Sequence, residues 1–197
     1  MVLWHLMYQQ PWQVFCVANF TQFQRDFFEQ PTCEVAQSLL GQVLCVSNNG
    51  MVKKGIIVET EAYTQDDAAS HSFKRTPRSE IMYGMAGISY VYFIYGMYHC
   101  FNIVTEPQDN GAAVLIRALE PLQNLDNTNG PSKLCKQMGI DRKFNGMDLL
   151  KNETIWLEKG QKIARNDIVF TTRIGIKQEV DLLRRYYIKN NKWVSKK

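Results

Sequence analysis

The chain lacks the usual signatures of metal and redox chemistry. Its three histidines, His5, His71 and His99, stand far apart, and no HxE motif occurs. Its cysteines, Cys16, Cys33, Cys45, Cys100 and Cys135, are odd in number and include no CxxC pair. That pattern speaks against a structural zinc site and against a closed disulfide framework, and reduced cytosolic thiols are the simpler reading. No metal ion and no cofactor is expected. Lysine and arginine are missing before Arg25, and the apolar opening is interrupted by Gln9, Gln10 and Pro11. With no basic leader and no small-residue cleavage site, a signal peptide is not expected. No apolar run approaches the roughly 20 residues that span a bilayer. Internal repeats and low-complexity segments are also missing. A strong excess of either charge is absent too: the formal net charge is +4, which permits a nucleic-acid partner without demanding one.

What is present is a core-forming composition, 45% hydrophobic and 21% charged, over 197 residues, enough for one domain. Pro31 near a helix start, the stripe Val35, Leu39, Leu40 and the stop at Gly41 predict a helix. A strand over Gln42 to Val46 follows, and Asn49-Gly50 is a hairpin signal leading into a second strand. Residues 89–105, SYVYFIYGMYHCFNIVT, read as two strands meeting near Gly96, and 112–119, AAVLIRAL, as another. GPSKLCKQMGI puts Pro131 at a first helical position and Gly139 at a C-terminal stop. Neighbouring strands joined by turns, with helices near the ends, give an α+β fold on a mainly antiparallel sheet.

The stretch IIVETEAYTQDDAASHS, residues 56–72, begins as a core strand and ends in polar groups. Side chains alternate along a strand, so Ile56, Val58, Thr60 and Ala62 share one face, and Ile57, Glu59, Glu61 and Tyr63 the other. A carboxylate beside an apolar body suits a general base, because partial desolvation raises carboxyl pKa values. A solvated sheet face, or an acid paired with arginine, is the plainer alternative. His71 is open to the same choice between a site and a loop role.

The arm Tyr90 to Tyr98 is rich in rings, with Tyr90 and Tyr92 on one face and Tyr95 at the turn. Tyr92 and Asn102 are expected as cross-strand neighbours within about one residue of register. An aromatic ring on a rigid turn suits a wedge in a base stack, while an ordinary aromatic strand is the bland alternative. Arg117 interrupts an apolar strand and needs a partner, either an acid or a nucleotide. Lys133 lies in a first helical turn, where anions bind. Arg173, Lys177, Arg184, Arg185, Lys189 and Lys192 form a candidate basic flank, functional or merely solvated.

In their order, VETEAY (58–63), AASHS (68–72), TPR (76–78), YVYFIYGMYHCFNIV (90–104), VLIRALEP (114–121), GPSKLC (130–135), WLEKG and WVS resemble the alkyladenine (3-methyladenine) DNA glycosylase family. The resemblance runs from about Phe27 to Ser195. It implies a single domain with a curved antiparallel sheet flanked by helices, here residues 25–197, with 1–24 as an extension of unassigned role. It implies a monofunctional DNA N-glycosylase of base-excision repair. Such an enzyme flips an alkylated or deaminated purine from duplex DNA and hydrolyses its N-glycosidic bond. By motif, Glu61 resembles the base that activates water, with Arg117 positioning it. Tyr63, His71 and Tyr92 resemble the walls of the base pocket. Asn102 resembles a gate against the exocyclic amino group of guanine. Tyr95 resembles the intercalating wedge, and Met97, Tyr98 and Lys133 resemble DNA-backbone contacts. Double-stranded DNA is then the partner, a monomer the default state, and the cytoplasm with its nucleoid, or the nucleus, the place of work.

Two readings of other classes stand beside it. One is a non-catalytic nucleic-acid module stacking bases on the aromatic hairpin. The other is a carbohydrate hydrolase using Glu59 and Glu61, which lie roughly 7 Å apart by strand rise.

Overall fold

The computed structural model describes residues 23–94 and 96–196. Two short helices come first, α1 (Arg25–Phe28) and α2 (Thr32–Ser38). Next come the strands β1 (Val43–Asn48), β2 (Met51–Tyr63), β3 (Ser89–Ile94), β4 (Tyr98–Val104) and β5 (Ala113–Gln123). Helix α3 (Pro131–Met138) and the short strands β6 (Ile155–Glu158), β7 (Ile168–Thr171) and β8 (Arg185–Ile188) complete the chain. The sheet is eight-stranded and curved, ordered β3-β4-β5-β2-β1-β6, with β8 joining β2 and β7 joining β8. Every strand pairing among the described residues is antiparallel. The architecture is therefore the expected α+β single domain.

The local signals act where the sequence put them. Asn49 and Gly50 both have positive φ (49° and 77°), the backbone of a tight hairpin turn, and they join β1 to β2. Pro131 opens α3, and Gly139 closes it in the left-handed conformation. Helix α2 lies on one face of β2, where the Thr60 hydroxyl donates to the Ala36 carbonyl at 2.8 Å. Phe28, Leu39, Leu40, Leu44, Phe101, Ile103, Ile116 and Leu119 fill the core between them. Each such side chain contributes about 1.5–3 kcal/mol by leaving water.

Strand β2 departs from simple alternation. Ile57, rather than Ile56, belongs to the core cluster with Ala62. The cause is a register shift against β5: Ile57 pairs with Leu119 but Glu59 with Ala118, leaving Val58 as an extra residue. A second shift follows at once, since Thr60 pairs with Ile116 and Arg117 is left over on β5. Bulges re-aim side chains, and here they bring Arg117 onto the two glutamates.

Gly41 carries a firm stability prediction. It has φ +83°, and a Cβ there would lie 2.0 Å from the Gln161 carbonyl oxygen. Gly41→Ala is expected to cost at least about 1–3 kcal/mol from backbone strain alone. Thermal melting should show a fall of roughly 2–4 °C per kcal/mol for a domain of this size. An unchanged melting temperature would contradict that packing.

Candidate active site

Antiparallel pairing puts opposite residues on the same face, and one row crosses the sheet above β2. Tyr90 on β3 pairs with Asn102 on β4, Asn102 with Leu115 on β5, Leu115 with Glu61 on β2, and Glu61 with Arg185 on β8. A cavity of about 390 Å³ opens over this row. Tyr63, His71, Tyr90, Tyr92, Asn102 and Arg117 all line it. Such a volume lies in the range of small-molecule sites.

Glu61 stands one side chain behind the cavity wall rather than on it. It is completely buried. Its Oε2 accepts from the Tyr63 hydroxyl at 2.8 Å and from Arg117 Nη1 at 3.2 Å, and its Oε1 accepts from the Ile174 backbone N–H at 2.8 Å. Tyr63, Arg117 and Ile174 all border the cavity. Of the alternatives open to this sheet face, the structure has the acid paired with arginine and not the solvated one, because Arg117 meets Glu61 while segment 174–176 and Ser195 hold the glutamates from the other side.

Glu59 is equally buried and differently occupied. It accepts from Arg117 Nε at 3.2 Å and Arg185 Nε at 2.7 Å, and from the Ser195 N–H and hydroxyl at 2.7 and 2.9 Å. Two glutamates face two arginines, so the cluster balances its charge. Burial works against the Arg117 cation, but Glu61 and Glu59 outweigh it and raise its pKa above the ordinary arginine value.

The rings are neutral. Burial first, and then Glu61 beside it, raise Tyr63 well above the ordinary tyrosine range, so its O–H remains a donor. Tyr92 is raised likewise, by burial and then by Cys100. His71 opens a short 3-10 helix (His71–Phe73) and is exposed along one edge, yet its ring meets the pocket wall, with Nδ1 2.9 Å from the Tyr90 hydroxyl and the ring 4.6 Å from that of Tyr92. Desolvation, and then the Arg78 cation, push it down from 6.5 to about 4. An unfolded chain therefore takes up this proton first as pH falls. The contribution of His71 to stability is intact above about pH 6.5 and is lost as pH drops toward about 4. His71→Asn should flatten the acid decline of the melting temperature across that window. An unchanged slope would place the ring in solvent.

Tyr92 and Asn102 both reach the cavity, but not as neighbours within one residue. Tyr92 pairs with Cys100, two positions away, because the hairpin turns about Gly96 (φ +68°), one residue before the midpoint that pairing would need. Asn102 is held by its amide, whose Nδ2 donates to the Tyr90 carbonyl at 3.0 Å. Met97 and Tyr98 are exposed at the hairpin tip. Lys133 is exposed at the start of α3, its Nζ 2.8 Å from Asn129 Oδ1, and Pro131 of that helix reaches the cavity. Tyr95 lies outside the described residues, as do residues 1–22.

The basic flank is largely not one. Arg173 and Arg185 are buried, and Arg173 and Arg184 pair with Asp67 while Arg185 pairs with Glu59. Lys177, Lys189 and Lys192 carry its remaining charge. Sequence reasoning missed Asp67, Cys100, Leu115 and the segment 174–176. That segment lies 113 residues from Glu61 and has no local signature. Arg78 was within reach, as part of the TPR motif: its guanidinium lies 5.3 Å from the Tyr92 ring centre.

No group of three or more histidine, cysteine, aspartate or glutamate side chains among the described residues is arranged to hold a metal ion. No helix among them is long and apolar enough to cross a membrane.

The comparisons with known proteins concern this same region. The family model described as methylpurine-DNA glycosylase matches residues 26–192. A protein of Carboxydothermus hydrogenoformans named "Putative 3-methyladenine DNA glycosylase" is 45% identical over 187 residues, covering 88% of this chain and 98% of its own. Similar proteins under that name occur in Legionella pneumophila (strain Lens), at 48% identity with 87% and 97% covered, and in Clostridium perfringens (strain SM101), at 43% with 88% and 98% covered. A match of this extent, over the strands that carry Glu61, Asn102 and Arg117, shows that the chain belongs to the methylpurine-DNA glycosylase family, the DNA N-glycosylases.

Proposed function

We propose that residues 25–197 form a domain that takes an alkylated or deaminated purine out of duplex DNA, into the ring-lined cavity, and hydrolyses its N-glycosidic bond. The observation that carries this reading is the row across the sheet. It places Asn102 and Glu61 on one face, with Tyr63, His71 and Tyr92 around the same cavity. Nucleotide chemistry inside a duplex requires extrusion of the base, and a pocket of aromatic walls compensates for lost stacking.

In this reading Glu61 is the general base. Its carboxylate accepts from three donors and so keeps one of its roughly four acceptor positions for a water that passes the wall of Tyr63, Arg117 and Ile174. Arg117 holds the carboxylate in place through its hydrogen bond to Oε2. Asn102, immobilised by the Tyr90 carbonyl, rejects the exocyclic amino group of guanine by steric clash. Tyr95 fills the gap in the stack, and Met97, Tyr98 and Lys133 meet the DNA backbone. A purine alkylated at N3 or N7 is already a good leaving group. Its charge is not selected by ring stacking alone, since Arg173 lies 4.6 Å from the Tyr63 ring centre and Arg78 5.3 Å from that of Tyr92. Among the described residues, none of those lining the cavity is a lysine that could act as an amine nucleophile, in keeping with hydrolysis that leaves the strand intact. The protein acts as a monomer.

The carbohydrate reading needs two working acids, and Glu59 is already saturated by four donors. The test is incubation with duplex oligonucleotides bearing hypoxanthine or an alkylated purine. Release of free base, with alkali-labile abasic sites and no strand break before alkali, is expected. Binding without base release would favour the non-catalytic module.

A further inference from the structure

Behind the wall of the cavity lies a second buried pair that the reaction scheme does not use. Arg173 and Asp67 have completely buried side chains and form an ion pair. Arg173 Nη2 donates to Asp67 Oδ1 at 3.0 Å. Asp67 is itself anchored, accepting from the Ala69 N–H at 2.9 Å and from Arg184 at 3.3 Å. Burial opposes the Arg173 charge, and its hydrogen bond to Asp67 overcomes that and raises its pKa.

Arg173 touches the catalytic strand on both sides of one peptide unit. Its Nη1 donates to the Ala62 carbonyl at 3.1 Å, between Glu61 and Tyr63. Its guanidinium lies 4.6 Å from the centre of the Tyr63 ring, whose hydroxyl donates to Glu61 Oε2. The next residue in the chain, Ile174, supplies the N–H that holds Glu61 Oε1. Two of the three donors to the Glu61 carboxylate therefore depend on where Arg173 sits. Asp67, further along the chain from Tyr63, fixes that place.

We infer that Arg173, locked by Asp67, is a positioning residue that sets the orientation of the Glu61 carboxylate through the Tyr63 ring and the Ile174 peptide. The inference rests on the reading of Glu61 as the general base. It assigns Arg173 no contact with DNA or with the reacting base. A guanidinium suits this role because its in-plane N–H groups can meet a carboxylate and a carbonyl while its flat face lies on a ring. An error of about 1 Å in a reacting group costs roughly 100-fold in rate, so small rotations of the carboxylate suffice.

The test is single-turnover excision of hypoxanthine by Arg173→Gln and Arg173→Lys, with binding to a duplex carrying an abasic-site analogue measured beside it. Arg173→Gln should slow the chemical step by roughly 10- to 100-fold and change binding by less than about twofold. Arg173→Lys keeps the cation and should recover part of the rate. In a Tyr63→Phe background, where the hydroxyl is already gone, Arg173→Gln should cost less than in wild type. If Arg173→Gln does not fold, Asp67→Asn/Arg173→Gln removes both charges together and is measured in its place. Equal losses in binding and rate, multiplicative losses with Tyr63→Phe, or a wild-type rate would each overturn the inference. Should Glu61→Gln excise normally, the base reading itself fails. Should Glu61→Gln be inactive while Arg173→Gln works at full rate, only this inference does.

Discussion

Glu61→Gln is expected to lower the single-turnover rate of purine excision by about 10²–10⁴-fold, the usual contribution of a positioned general base. The amide keeps the shape of the carboxylate; its oxygen can accept from the Ile174 N–H while its NH2 donates to the Tyr63 hydroxyl, so binding of lesion-bearing DNA should persist. What it loses is the capacity to take a proton from water. Glu59→Gln makes the contrast. Glu59 holds the C-terminal segment through Ser195 and pairs with Arg185, so its loss should lower melting temperature before it lowers the rate constant of folded enzyme. Full excision by Glu61→Gln would remove Glu61 from the chemistry. Inactivity of folded Glu59→Gln alone would move the role to the neighbouring acid.

The second large effect is on stability. Arg117 touches both buried glutamates, and Arg117→Met leaves two carboxylates against Arg185 alone. Breaking a buried pair by removing one partner costs about 3–5 kcal/mol, because a charge is left without compensation. For a domain of this size that is a fall of roughly 6–20 °C in melting temperature. The exposed pair Arg75–Glu80, at 2.6 Å, is the control. Solvent screens it, and Glu80→Gln, which removes the charge pair and leaves Arg75 on the Tyr83 ring, should leave melting unchanged. Comparable losses at the two sites would mean that the interior cluster is wetter than its geometry shows.

How far the sequence foretold this depends on the range of each interaction. Glu61 and Tyr63 share a face because a strand alternates with period two, and their side chains do meet, at 2.8 Å. The same rule failed earlier on the strand, at Ile56 and Ile57, because a bulge at Val58 is set by β5 and leaves no local mark. The turn at Asn49-Gly50 and the ends of α3 were legible for the opposite reason: their chemistry lies within a few residues. Arg117 announced its need for a partner by standing in an apolar strand, though nothing in the chain said that the partner would be two glutamates. Asp67 and Arg173 gave no such notice. They are 106 residues apart, and only the fold shows that they are buried together behind Tyr63. The basic flank was misread on the same account, since burial of an arginine depends on acids supplied from distant strands.

The motifs alone point to the family, and the residues they mark as walls, Tyr63, His71 and Tyr92, line one cavity. They did not reveal that Glu61 stands behind Tyr63, Arg117 and Ile174. That arrangement makes water access the central physical question. The most direct measurement is a crystal structure of Glu61→Gln bound to a duplex carrying hypoxanthine. The account predicts the purine between Tyr63, His71 and Tyr92, Tyr95 within the duplex in its place, and a water about 2.6–3.2 Å from the residue-61 side chain on the side of the sugar. A purine still stacked in the helix, or one seated in the cavity with residue 61 sealed from solvent, would contradict it.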